Sequence, residues 1–213
     1  MIIIGDVHGS SRVRFETKEG VRLGMLSAEQ KKDVYFNIVR GLRQPSIQIG
    51  DFGFIQEHEW FLKNVDHRKH KVLFGNHDHM PLVDAPHSMG HYRFIPELQM
   101  MTIRGAYSID KSQRTQGVDW FHDEELSMQQ CEAVLTMVDQ YRPKIILSHD
   151  CPTEIGTLIT GENKKSRTDQ LLQACFDRHQ PELWVHGHFH VHHEARVNGT
   201  RFLGLGELEV VEI

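Results

Sequence analysis

An α/β fold with mixed β-sheets is predicted for this chain, and three observations predict it. Short runs of strand formers at residues 2–4, 46–49, 71–74, 144–147 and 183–185 alternate with stretches of helical periodicity. Each run gives way within three residues to an Asp, Asn or His: Asp6, Asp51, Asn76, His149 and His188. Near the end, Asn198-Gly199 between two apolar runs reads as a type I′ hairpin, which adds antiparallel strands to a parallel core. At 213 residues the chain is long enough for one domain with a sizeable core, so residues 1–213 are taken as a single domain.

Taken in order, the opening strand leads to a hairpin over residues 13–15 and 21–23, turning at Gly20. Ser27 to Gln30 has the pattern of a capping box and opens a helix with Val34, Ile38 and Leu42 as its apolar stripe and Tyr35 and Val39 beside it. A helix over 57–65 offers Trp60 and Phe61 to the core. Three prolines between 79 and 97 predict an irregular segment. A strand follows at 98–104 and a long polar loop at 105–123, which carries Tyr107, Arg114 and Trp120. Helices are predicted over 127–141 and 167–179, each stopped by a proline, then a hairpin over 193–203 and a strand over 207–213.

Composition excludes several classes. No apolar run approaches the roughly 18 residues of a membrane span. No basic segment precedes an apolar one at the start, so no signal peptide is read. Three cysteines without CxxC spacing favour free thiols and a cytoplasmic setting. A net charge of −5 gives no basic footprint for nucleic acid, but it leaves room for an anionic substrate if metals supply the positive field. The 16 histidines invite a metal hypothesis, which their spacing must then support.

The strand ends supply that spacing. In order they read Asp6-x-His8-Gly9, Gly50-Asp51, Gly75-Asn76-His77-Asp78, a lone His149, and Gly187-His188-x-His190. Any one block has an ordinary explanation. Asp6 suits a turn, and Asn76 suits a left-handed turn. The ordered set resembles the signature of the calcineurin-like metallophosphoesterases, and it spans residues 6 to 190. The resemblance implies a four-layer α/β/β/α sandwich with two mixed β-sheets and a two-metal centre where the strand ends meet.

It also implies roles. Asp51 would bridge two divalent cations, with Asp6, His8 and His190 completing one site and Asn76, His149 and His188 the other. A hydroxide between the metals would attack phosphorus, Asn76 would help hold the phosphate, and His77 would assist the leaving group, oriented by Asp78. The donor set suits manganese first, with iron, zinc or nickel also compatible. The substrate implied is a small phosphomonoester or nucleotide. The alternatives are a phosphodiester and, from another class, a non-catalytic scaffold of the same fold.

One departure matters. Protein serine/threonine phosphatases of this family carry Gly-Asp-x-x-Asp-Arg at the second block, and here Phe54 and Ile55 stand in the last two positions. That argues against the protein-phosphatase branch and leaves the phosphate without its arginine. Arg104 and Arg114, near the polar loop, are the candidates to replace it.

Other residues are given ordinary readings. His186, His192 and His193 are placed beside the site. His58, His67, His70, His79, His87, His91 and His179 are placed on the surface. Cys151 is read as a small buried hydrophobe. Four histidines spaced by two from His186 to His192 would share one face if the segment were a strand.

Overall fold

A computed structural model describes residues 1–8, 11–17, 20–163 and 165–213, without the side chains of 11–17 and 20–24. Gly9 of the first block and the turn residues Lys18 and Glu19 lie outside the described residues.

The strands form two mixed sheets. One contains β1 (Ile2–Ile4), β4 (Ser46–Gln48), β5 (His70–Val72) and β12 (Val210–Glu212), in the order β12-β1-β4-β5, with β12 alone antiparallel. The other runs β10-β11-β9-β8-β7-β6. Its inner strands are β7 (Met100–Ile103), β8 (Ile145–Ser148), β9 (Leu183–His186) and β11 (Thr200–Gly204), all parallel. Its edges, β6 (Tyr92–Ile95) and β10 (His193–Val197), are antiparallel. A separate hairpin pairs β2 (Ser11–Thr17) with β3 (Gly20–Leu26).

Alternation along the strands builds three cores in four layers. Ile3, Ile47 and Leu73 of the first sheet meet Met100, Leu147, Val185 and Leu203 of the second in a core between the sheets. Ile2, Ile4 and Val72 point the other way, onto Tyr35, Phe36 and Val39 of α1 (Ala28–Gly41) and Phe61 of α2 (Ile55–Asn64). On the far side, Met101, Ile103, Ile146, Trp184 and Phe202 pack on α3 (Met128–Tyr141) and α5 (Arg167–Arg178). The α/β/β/α sandwich with two mixed sheets is therefore present.

Local chemistry explains the helix starts. Ser27, Ser127 and Ser166 each cap a helix through a reciprocal box with the residue three positions on.

Four readings need correction. The buried stripe of α1 is Lys31, Tyr35, Phe36 and Val39, while Val34, Ile38 and Leu42 are only partly covered. Lys31 joins the buried stripe because it has partners there: its Nζ lies 2.6 Å from Glu207 Oε1 and 3.0 Å from the His8 carbonyl. The segment 79–97 hides the edge strand β6, and α4 (Thr153–Thr160) was not anticipated. His58, His70 and His87 are buried, and His67, His79, His91 and His179 are part-buried, so none of the seven is a fully exposed surface residue. Residues 187–190 leave the strand after His186, so the histidines at 186, 188, 190 and 192 do not share a strand face.

The loops after β1 and β11 touch at the site edge. A methyl group on Gly5 would meet the Gly206 carbonyl oxygen, so only glycine allows this approach. Gly5→Ala is expected to cost about 1–3 kcal/mol by overpacking. Thermal unfolding should show a drop of roughly 2–4 °C per kcal/mol for a chain of this size. An unchanged Tm would mean that the two loops are not locked together.

Candidate metal centre

Parallel strands place the site. β1, β4 and β5 end side by side in one sheet, and β8 and β9 end side by side in the other. The residues that follow them converge at a single sheet edge, as ligand sites do in open α/β sheets. Asp6, His8, Asp51, Asn76, His77, His149, His188 and His190 are brought together there.

Asp51 is the centre of the arrangement. Its Oδ2 lies 3.2 Å from His8 Nε2 and its Oδ1 lies 3.2 Å from His149 Nε2. Two groups of ligand-type atoms form around it: His8, Asp51 and His190, and Asp51, His149 and His188. The backbone is bent to suit, because Asp51, His188 and His190 have φ of 55°, 67° and 57°. Left-handed backbone at three non-glycine residues is strain that surrounding contacts must hold, and such strain concentrates at functional sites.

Each side chain is oriented by its neighbours. His149 donates from Nδ1 to the Ile49 carbonyl at 2.9 Å, which turns Nε2 toward Asp51 and, at 3.3 Å, Asn76 Oδ1. Ser108 donates its hydroxyl to Glu124 at 2.6 Å, so it accepts from Asn76 Nδ2 at 3.0 Å. That bond fixes the amide with Oδ1 facing the site. Asp6 accepts from the His188 N–H at 3.1 Å through Oδ2, which also lies 3.1 Å from His190 Nε2. Its Oδ1 is buried and has no hydrogen-bond partner. His190 Nδ1 lies 3.3 Å from Glu207, whose carboxylate is held by Lys31.

The electrostatics follow from burial and crowding. Burial alone would raise the Asp51 pKa, but His149, His8 and His77 outweigh it and hold the carboxyl well below its usual range. Burial would lower His149, but Asp51 and then Asp6 push it up to about 10. His188, buried beside the His149 cation, is held down to about 3. His77 is lowered to about 4, first by burial, against the pull of Asp51.

These residues fit a pair of divalent cations. An orphaned carboxylate oxygen is buried at Asp6. His149 Nε2 lies 3.3 Å from Asn76 Oδ1 and 3.2 Å from Asp51 Oδ1, so three possible ligand atoms converge. The donors are nitrogen and oxygen with no thiolate, which suits the harder first-row cations.

Two sequence expectations are corrected. Arg104 does not join the site. It is fully buried, and its guanidinium is spent on His91 Nδ1 at 2.9 Å and the carbonyls of Asp123 and Glu124 at 2.9 and 3.1 Å. Asp78 does not orient His77. Its carboxylate accepts instead from the N–H groups of Asp51, Phe52, Gly53 and Gly75.

Arg114 does reach the site. Its Nη2 donates to His77 Nε2, and Nη2 and Nε both bind Asp110 Oδ2, at 2.8 and 2.9 Å. His77 in turn stacks on His8 with ring centroids 4.0 Å apart. A cleft of ≈ 790 Å³ opens from Asn76, His77 and His188. Tyr107, Ile109 and Phe189 give it an apolar wall, and Lys165 and Arg167 also line it.

Sequence reasoning missed Asp110, Glu207, Lys31 and the Ser108–Glu124 pair. Glu207 had a signal, since it too follows a strand through a glycine. The others had none.

Two outcomes are expected. At pH 8 the His149 proton must leave when its lone pair is used, so metal uptake should release about one proton or more, and apparent affinity should rise with pH toward 10. Calorimetry of metal binding in buffers of different ionisation enthalpy measures this, and no proton release would contradict the assignment. Arg104→Leu should destabilise the fold on the order of 3 kcal/mol by orphaning buried carbonyls. It should leave KM unchanged, and a raised KM would return Arg104 to the substrate.

No protein-family sequence model matches the chain, and no curated protein sequence does. Solved structures do. A dimetal phosphatase from Danio rerio aligns over 97% of this chain and 87% of its own, at 15% identity and TM-score 0.57. A phosphopantetheinyl hydrolase from Mycobacterium tuberculosis aligns over 83% and 84%, at 14% identity and TM-score 0.45. A Vps29 complexed with zinc from Entamoeba histolytica aligns over 97% and 74%, at 13% identity and TM-score 0.38. The first carries the comparison, and at that identity it speaks for architecture alone. With its two mixed sheets between helical layers, this chain has the calcineurin-like metallophosphoesterase fold.

Proposed function

We propose that the chain hydrolyses the phosphoester bond of a small phosphomonoester, such as a nucleotide, using two divalent cations. The observation that carries this reading is the shared carboxylate: each oxygen of Asp51 faces a different group of imidazoles. Asp6, His8 and His190 would hold one cation with Asp51, and Asn76, His149 and His188 the other. Manganese is the ion assigned first, with iron, zinc and nickel as the alternatives. When bound, the cations polarise a phosphoryl oxygen and bring a water toward ionisation near pH 7.

The chain's own residues do the rest. Arg114 is locked to Asp110 and contacts His77, both of which line the cleft, and its guanidinium can take two phosphate oxygens brought to that point. It supplies the cation that Ile55 does not. A phosphate is a stronger acceptor than a neutral imidazole, so bound substrate draws Arg114 from His77, and the ring, whose proton sits on Nδ1 while Nε2 accepts, shifts to the tautomer with N–H at Nε2. His77 is neutral at pH 7, and nearby cations would lower it further, so it acts as an N–H donor to the leaving oxygen rather than as a stored proton. The apolar wall of the cleft receives the organic part of the substrate.

No helix among the described residues is long and apolar enough to cross a membrane. The three cysteines are free and buried, which supports a reducing compartment, and we place the protein in the cytoplasm.

Asp51→Asn and His149→Ala should each lower turnover of p-nitrophenyl phosphate by orders of magnitude while the fold persists by circular dichroism. Wild-type turnover in either variant would refute the reading. His77→Ala should cost roughly 10²–10⁴ in rate on alkyl phosphates and much less on activated aryl phosphates. Equal losses would remove His77 from the leaving group. The wild type should prefer p-nitrophenyl phosphate to its bis ester, and the reverse preference would assign a phosphodiesterase.

A further inference from the structure

We propose that Asp78, His58 and His87 form a buried hydrogen-bonded chain that positions the loop carrying Asp51, and so sets how tightly the cation pair is held. The inference rests on the phosphoesterase reading above. All three residues have no solvent exposure. They come from three places: Asp78 follows Asn76 and His77, His58 lies on α2, and His87 lies on the segment between β5 and β6.

Proton inventory gives the chain a direction. The Asp78 carboxylate can only accept, so His58 Nε2 donates to Oδ1 at 3.1 Å. His58 Nδ1 and His87 Nε2 then share one proton at 2.7 Å. His87 Nδ1 ends the chain, buried and without a partner. A buried imidazole with one orphaned nitrogen is not what packing alone would choose.

The chain ends on the loop that matters. Asp78 Oδ1 also accepts from Phe52 and Gly53 N–H at 2.9 and 3.0 Å, while Oδ2 accepts from Asp51 and Gly75 N–H at 2.8 and 2.7 Å. Three successive N–H groups wrapped on one carboxylate hold a loop in which Gly50, Asp51 and Gly53 have φ of 108°, 55° and 141°. The Asp51 side chain leaves from the middle of that loop and is braced by the His77 N–H at 2.7 Å. Among the described residues His58 is the one side-chain donor to Asp78. Without it the carboxylate keeps its four backbone donors but loses the one bond that ties Oδ1 to α2, and Oδ1 holds Phe52 and Gly53 less firmly. His58 and His87 are therefore positioning residues. They touch neither substrate nor cation and act through Asp78 on Asp51.

The test is calorimetric titration of metal-free full-length protein with MnCl₂. The wild type should bind two Mn²⁺ ions. His58→Leu should weaken binding about 10–100-fold, the usual effect of losing a partner behind a metal ligand, and saturating Mn²⁺ should recover most of kcat. His58→Gln keeps an amide N–H for Asp78 and should restore most of the affinity. Where His58→Leu fails to fold, His87→Phe breaks the same chain one link further back and should weaken Mn²⁺ binding severalfold. Affinity within twofold of wild type in the folded variant, or a glutamine no better than leucine, would overturn the positioning role and leave the phosphoesterase reading standing. A wild type that binds no Mn²⁺ would overturn both.

Discussion

The Asp51 carboxylate sits buried at the seam of two groups of imidazoles, on a loop bent into left-handed backbone, and the rest of the site is arranged around keeping it there. A buried carboxylate is costly unless positive charge or N–H donors surround it. Here both are supplied. His149 is held as a cation against one oxygen, and the His77 N–H is donated to the same oxygen. Behind the loop, Asp78 gathers the N–H groups that would otherwise be orphaned by the bend.

Architecture makes such a site cheap to assemble. Parallel strands in both sheets run toward one edge, and each emerging loop contributes one or two polar side chains without crossing the core. The cores on either side are ordinary: isoleucines, leucines and aromatics in alternation. Two of the long charged side chains that enter them do so in satisfied sets. Lys31 joins Glu207 and the His8 carbonyl, and Arg104 joins two carbonyls and His91. These sets brace the loops from behind. They also explain why an arginine beside the polar loop is a structural clamp while Arg114, ten residues further on, reaches His77.

Much of this was legible in the sequence. Strand ends that break into Asp, Asn or His announce themselves, because a turn and a ligand favour the same residue types and because five such breaks fall in a family's order. The strands and most helices followed from periodicity and capping. What was not legible depended on partners distant in sequence. β6 lies between Pro86 and Pro96 and reads as irregular until β7 pairs with it. α4 is eight residues long, starts after Pro152 and contains Gly156, so local propensity argues against it. His58 and His87 look like surface histidines because nothing near them in sequence explains burial. Their explanation is Asp78, 20 and 9 residues away.

The central claim is that one carboxylate is shared by two cations. Diffraction from crystals soaked in MnCl₂, collected at the manganese absorption edge, tests it most directly. Two anomalous peaks about 3.5–4 Å apart, on either side of Asp51, with His8 and His190 around one and His149 and His188 around the other, are the result this account predicts. A single peak, or peaks that leave Asp51 without contact to either, would contradict it.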